Sequence, residues 1–263
     1  MALIRLDHTP ETVKVCLPLY VILPEPGRIE GVPVRDRKLL YLLHGLSDDG
    51  SAWQRYTSIE TVANEYGLVV AMPSVGRSFY TDQPNGQRYF TYLTEELPAY
   101  LQDVFGLAPA PEDTLIAGLS MGGYGVLKAA LNYPERFAAA ASFSGAVSLE
   151  ILHAIPDDPR QAEFAYIFGD LSKLKDSQHD PMVWLQEAAK DPDKLPYLYI
   201  ACGRQDDLYP VNQMFHTACQ QLGVPHDYVE EDGKHDWHFW DRHIKRFLKR
   251  VLGEPAQNSG GIA

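Results

Sequence analysis

Thr114-Leu115-Ile116-Ala117-Gly118-Leu119-Ser120-Met121-Gly122 is the stretch on which the fold turns. Thr114 to Ala117 is short, apolar and partly β-branched, the composition of a buried strand. From Met121 to Asn132, Val126, Leu127 and Leu131 recur at helical spacing. Gly118-Leu119-Ser120-Met121-Gly122 joins the two. A serine between glycines at a strand-to-helix turn is a nucleophile elbow: the turn is too tight for side chains on either side, and the hydroxyl is held above the sheet. The start of the following helix then points backbone N–H groups at any negative charge that develops there. Gly123 and Gly125 are unusual inside a helix and indicate close helix–strand packing.

Outward from this point the pattern alternates. Lys14 to Leu23 is β-rich and ends at the turn Pro24-Glu25-Pro26-Gly27. Leu39-Leu40-Tyr41-Leu42-Leu43 is continuously apolar, as expected of a strand covered on both faces. It stops at His44-Gly45-Leu46. Thr57-Ser58-Ile59-Glu60 reads as a capping box opening a helix that ends at Gly67. Leu68 to Met72 is the next strand. A long loop, Ser74 to Arg88, precedes a helix that runs to Phe105; Pro98 either kinks that helix or restarts it. Strands are expected at Ala138 to Phe143, Tyr197 to Ala201 and His226 to Val229, and helices at Pro210 to Leu222 and Trp237 to Leu252. Asp180-Pro181 marks another helix start. The alternation predicts an α/β fold: a mainly parallel sheet with helices on both faces. One domain over residues 1–253 is expected, with 148–196 as a small excursion over one sheet end and 254–263 as a disordered tail.

The bulk numbers narrow the function. In 263 residues, 45% are apolar, enough for one large core, and the formal charge is −12 with a pI near 5.1. That charge argues against nucleic acid and anionic membranes as partners. Cys16, Cys202 and Cys219 are three in number without a C-x-x-C, so neither a disulfide framework nor a zinc ribbon is expected, and a reducing, cytoplasmic location fits. No leader peptide or membrane span is visible.

A serine hydroxyl is a weak nucleophile. It needs a base, usually histidine, and the histidine needs a carboxylate to hold its tautomer. With the order Ser, acid, His, the acid belongs just after a late strand. Asp206 and Asp207 both stand there, and Asp206 is preferred. His235 falls in the loop after the last strand and is preferred as base over His238, which falls on the first turn of the last helix. As an alternative, His235 and His238 with Asp232 and Asp236 have metal-ligand types at suitable spacing, but that leaves Ser120 and its elbow without a role, so no metal is expected. Two convergent backbone donors are needed for the oxyanion; Met121 N–H is one and Leu46 N–H the other. Trp53, Tyr80 and Trp240 are candidates for the substrate pocket, although lone aromatics are more often core.

Several stretches together resemble the esterase D and tributyrin esterase group of α/β-hydrolases: Tyr41 to Ser47 with Trp53, Ala117 to Gly125, Ala141 to Ala146, Phe168 to Leu174 and Gly233 to Asp241. The resemblance implies the α/β-hydrolase fold, Ser120 as nucleophile, Asp206 as acid, His235 as base, and Leu46 and Met121 as oxyanion donors. It also implies short acyl esters as substrates, no cofactor, and a homodimer or homotetramer. S-formylglutathione hydrolysis, feruloyl- or acetyl-xylan-type ester hydrolysis and acyl transfer are the neighbouring chemistries. A catalytically silent scaffold would be the reading outside enzymes, and a missing triad member would point there; none is missing. Two departures stand out. Esterase D often has a cysteine shortly after the oxyanion loop, where this chain has Leu46-Ser47-Asp48-Asp49, and His238 replaces an expected acidic residue.

Overall fold

A computed structural model describes residues 1–84, 86–149 and 159–255. Its centre is an eight-stranded sheet. In chain order the strands are β1 (Ala2–His8), β2 (Leu17–Leu23), β3 (Leu39–Leu43), β4 (Val69–Pro73), β5 (Thr114–Leu119), β6 (Ala139–Phe143), β7 (Tyr197–Gly203) and β8 (Asp227–Glu231). The spatial order is β1-β2-β4-β3-β5-β6-β7-β8, parallel from β4 to β8. β1 and β2 are antiparallel additions at one edge. β1 is not marked by the sequence: Arg5, Asp7 and His8 interrupt its apolar residues, and as an edge strand it has no fully buried position.

All five residues of β3 are buried, as its apolar run predicts. Leu39, Tyr41 and Leu43 face one core; Leu40 and Leu42 face the other. The helices flanking the sheet are α1 (Ala52–Tyr56), α2 (Ile59–Tyr66), α3 (Leu97–Phe105), α4 (Met121–Asn132), α5 (Gln161–Phe168), α6 (Pro181–Ala188), α7 (Tyr209–Gln221) and α8 (Trp237–Leu252). Pro98 does not end its helix: helical residues run unbroken from Tyr89 to Phe105, and a π-helical turn over Tyr92–Glu96 just before Pro98 takes up the irregularity. Gly67 and Gly106 end α2 and α3 in left-handed conformations. Among the described residues no helix is long and apolar enough to cross a membrane. The part of the excursion at 150–158, and the tail from 256, lie outside the described residues.

The capping box at Thr57 to Glu60 is half formed: Thr57 Oγ1 accepts from Ile59 N–H at 3.2 Å, but Thr57 N–H donates to Trp53 O and not to Glu60. Ser58 offers α2 no side-chain cap; its N–H and hydroxyl both donate to Asp241 on α8, at 2.9 Å each. A carboxylate from another helix thus adds to the local cap, and a charged acceptor makes the stronger hydrogen bond.

Helix α4 lies buried along most of its length, including Lys128, which is 6% exposed. Its ammonium donates to Thr81 and sits 4.5 Å from the Phe90 ring centre. Burial pulls this amine down to about 7, against a weaker upward pull from Asp82. Between pH 7 and 10 the unfolded chain holds a proton on Lys128 that the folded chain has released, so stability rises with pH across that window. Lys128→Met is expected to flatten that rise and to stabilise the protein at pH 7 by about 1–3 kcal/mol. Urea unfolding of both proteins at pH 7 and 9 measures it; identical slopes would show that Lys128 keeps its proton.

Candidate active site

Every sequence-predicted functional residue other than the aromatics lies at the carboxyl ends of the parallel strands. In open α/β sheets this is the edge where loops are free to build a site. Ser120 follows β5 with φ 53° and ψ −116°, a left-handed conformation that a non-glycine residue adopts only under constraint from its surroundings. The constraint is visible. Ser120 N–H donates to Phe143 O at 2.9 Å, and Ser120 O accepts from Tyr124 and Ala146 N–H. A Cβ at Gly122 would fall 2.5 Å from Leu43 O, so only glycine lets α4 leave the elbow this close to β3.

Asp206 lies just past β7 with its carboxylate wholly buried. His235 lies past β8, with Nδ1 at 3.0 and 2.9 Å from the two carboxylate oxygens. That contact places the proton on Nδ1 and leaves Nε2 as the free ring nitrogen. Burial opposes ionisation of Asp206. His235, the Leu208 N–H at 2.8 Å and the Ser144 hydroxyl outweigh it and hold the carboxyl below its usual range. Asp207, its neighbour, is exposed. The loops are tied in series by backbone hydrogen bonds. Ser120 is bound to Phe143 at the end of β6, Ser144 to Ala201 in β7, and Gln205 to Gly233 beyond β8.

Ser144 is the residue that sequence reading missed. It is fully buried and has φ 49°. Its hydroxyl accepts from Trp240 Nε1 at 3.1 Å and helps to hold the Asp206 carboxyl down. The Trp240 ring in turn meets the His235 ring edge-on, with centroids 5.0 Å apart and planes at 88°. Ser144 and Trp240 therefore back the Asp206–His235 pair. Its position directly after β6, between the strands of nucleophile and acid, was the available signal. Ser144→Ala is expected to lower kcat/KM by roughly tenfold or more, since it removes a hydroxyl that favours the Asp206 carboxylate and strands the indole N–H. Steady-state kinetics alongside thermal unfolding measure it; wild-type kinetics would mean that Asp206 is held well enough without it.

The loop after β3 reaches the elbow. A Cβ built on Gly45 would lie 3.7 Å from Ser120 Cβ. His44, fully buried, fixes this loop: Nδ1 donates to Gly45 O at 2.7 Å and Nε2 accepts from Val75 N–H at 3.1 Å. Burial pulls His44 down to about 4, so it remains a neutral strut at ordinary pH. Neither Leu46 N–H nor Met121 N–H has an acceptor among the described residues. They are two unspent donors, on either side of Ser120.

Trp53 and Tyr80 do not line a substrate pocket. Both are fully buried; Trp53 Nε1 donates to Leu43 O at 3.0 Å and Tyr80 hydroxyl to His44 O at 3.1 Å. They hold the end of β3 and its loop from within. Trp240 is buried too, and its contact is with His235 and Ser144. Gly125 is what admits Tyr80, because a Cβ there would fall 2.7 Å from its ring. Asp236 accepts from Phe239 N–H as the cap of α8, and His238 is exposed on the first turn. Among the described residues no group of three or more His, Cys, Asp or Glu is placed to hold a metal ion.

A buried carboxylate bound to a histidine, at the same sheet edge as a serine on a strained elbow, suits acyl transfer through a serine. Comparison with known proteins agrees: the family model described as putative esterase matches residues 13–251. The chain belongs to this esterase family. An acetyl esterase from Caldicellulosiruptor saccharolyticus is 31% identical over 254 residues, covering 93% of this chain and 96% of that protein. Two solved structures from Staphylococcus aureus are also similar. One is a fluorophosphonate-binding serine hydrolase F, 36% identical with a TM-score of 0.87; the other is an S-formylglutathione hydrolase, 37% identical with a TM-score of 0.84. Each covers 95% of this chain and 98% of its own. The α/β-hydrolase architecture and a carboxylesterase-type hydrolase activity follow from this membership.

Proposed function

We propose that this esterase hydrolyses short-chain acyl esters through Ser120, His235 and Asp206. The observation that carries the reading is the Asp206–His235 pair at the carboxyl edge of the sheet, tied by backbone hydrogen bonds to the loop of Ser120. In the acylation step, Ser120 Oγ attacks the ester carbonyl carbon while His235 Nε2 takes the hydroxyl proton. The C=O π pair moves to oxygen, and Leu46 and Met121 N–H groups receive that charge. As the intermediate collapses, the C–O bond to the alcohol breaks and His235 returns the proton to the leaving oxygen. Water then attacks the acyl-enzyme by the same route, releasing a carboxylic acid and free Ser120. Asp206 stabilises the imidazolium that forms at each stage.

Short acyl groups are favoured by the acetyl esterase relative, which spans nearly the whole chain. A second reading, thioester hydrolysis, is supported by the similarity to the S-formylglutathione hydrolase structure. The mechanism is the same; a thiolate leaves in place of an alkoxide. The test is the hydrolysis of 4-nitrophenyl acetate, butyrate and octanoate beside S-formylglutathione. Faster turnover of acetate and butyrate than of octanoate, with slow thioester cleavage, is expected. A dominant thioester rate would reassign the substrate class, and no turnover of any of them would overturn the short-ester reading.

A further inference from the structure

Asn212, in the first turn of α7, is fully buried. Its Nδ2 donates to Gly145 O and to Leu208 O, at 2.9 Å each. Both amide hydrogens are therefore spent, one of them on a loop 67 residues earlier in the chain. The amide oxygen is not: among the described residues Oδ1 is buried and has no donor. A buried carbonyl left without a donor costs stability, so the fold gains nothing from that half of the side chain.

The two carbonyls do not depend on the amide either. Gly145 O also accepts from Val147 N–H at 2.9 Å, and Leu208 O accepts from the backbone N–H of Asn212 itself at 3.1 Å. Without the carboxamide neither carbonyl would be stranded; what would go is the tie between them. Both ends of that tie reach the active site. Leu208 N–H donates to Asp206 Oδ1 at 2.8 Å, and Tyr209 N–H donates to Asp206 O at 3.0 Å, so the acid is fastened to the start of α7. Gly145 stands between Ser144, whose hydroxyl accepts from Trp240 Nε1, and Ala146, whose N–H donates to Ser120 O at 3.1 Å.

We propose that Asn212 is a positioning residue: its carboxamide fixes the loop of Asp206 against the loop of Ser144 and so keeps the Asp206–His235 pair in register with Ser120. The proposal rests on the reading of Ser120, His235 and Asp206 as the reacting set. Asn212 touches none of the three side chains. It acts through Leu208 on the acid and through Gly145 on the backbone that holds the nucleophile. Small displacements of such a set are costly in rate, because proton transfer needs hydrogen-bond contact.

The test is Asn212→Leu, which keeps the branched shape and removes the orphaned oxygen together with the two donors. Thermal unfolding is expected to stay within about 4 °C of wild type. In hydrolysis of 4-nitrophenyl acetate, kcat is expected to fall about tenfold with KM within about twofold of wild type. The rate of fluorophosphonate labelling of Ser120 is expected to fall in the same proportion. Combined with Ser144→Ala, the loss in kcat/KM is expected to be well short of the product of the two single losses, since both act on one loop. Should Asn212→Leu fail to fold, Asn212→Ala carries the same kinetic expectations. Wild-type kcat in a folded variant, a change confined to KM, or losses that multiply with Ser144→Ala would each overturn the proposal. Loss of the fold in both variants would overturn it too, by making Asn212 a structural residue. Ser120→Ala is measured alongside. Activity that survives Ser120→Ala removes the reading of the reacting set and this proposal with it, whereas Ser120-dependent activity untouched by Asn212→Leu removes this proposal alone.

Discussion

Ser120→Ala is expected to lower kcat for 4-nitrophenyl acetate by at least about 10⁵-fold, because members of a serine triad act as a unit and the loss of one removes nearly the whole rate gain of the set. The fold is expected to survive. The hydroxyl supports nothing in the elbow: what holds the turn is the backbone, through Ser120 N–H to Phe143 O and Ser120 O to Tyr124 and Ala146 N–H. Alanine keeps those bonds and the same strain at φ 53°. Thermal unfolding of wild type and variant is therefore expected to coincide within a few degrees, by about 2 °C or less, as for a substitution worth under ~0.5 kcal/mol. A fluorophosphonate probe is expected to label the wild type and not the variant. Ser120→Gly offers a finer measurement: it removes the penalty of a non-glycine residue at positive φ and is expected to raise stability by about 1 kcal/mol while remaining inactive. Activity above one hundredth of wild type in either variant would remove Ser120 from the mechanism.

His235→Ala is expected to be nearly as damaging, at about 10⁴- to 10⁶-fold in kcat, while His238→Ala retains most of its activity. The two histidines are three positions apart, yet their surroundings differ. His235 Nδ1 is bound to a fully buried carboxylate, and its ring is pinned edge-on by Trp240. His238 is exposed on the first turn of α8. The stability cost of His235→Ala is expected to be about 1–3 kcal/mol, since it leaves the Asp206 carboxylate buried without its histidine partner. The reverse pattern, a dead His238→Ala and an active His235→Ala, would show that the base had been misassigned, even though the Asp206 contact stands.

Much of this site was legible in letters, and for a local reason. A glycine-flanked serine between a β-branched run and a helical run has one geometry open to it, because sterics within five residues decide the turn. A strand apolar at every position must be covered on both faces, so β3 and β5 announced a parallel sheet, and the alternation of elements put the loops of Ser120, Asp206 and His235 at one edge. The bounds of α8, Trp237–Leu252, were readable from Ile244, Phe247, Leu248 and Val251 on one face. What the letters left open were contacts between segments far apart in sequence. Thr57 to Glu60 read as a self-contained capping box, yet Ser58 within it binds Asp241, 183 residues away. Trp53 and Tyr80 looked like pocket aromatics and instead hold the carbonyls of Leu43 and His44, which no propensity or periodicity encodes. Position after the strand did not separate Asp206 from Asp207; burial, the His235 contact and the Leu208 N–H are what distinguish the two. Ser144 itself had no signal beyond its place after β6. Backbone sterics and side-chain periodicity act over a few residues and survive in a one-dimensional record. Hydrogen bonds between buried groups act at 3 Å in space, and only folding decides which groups come that close.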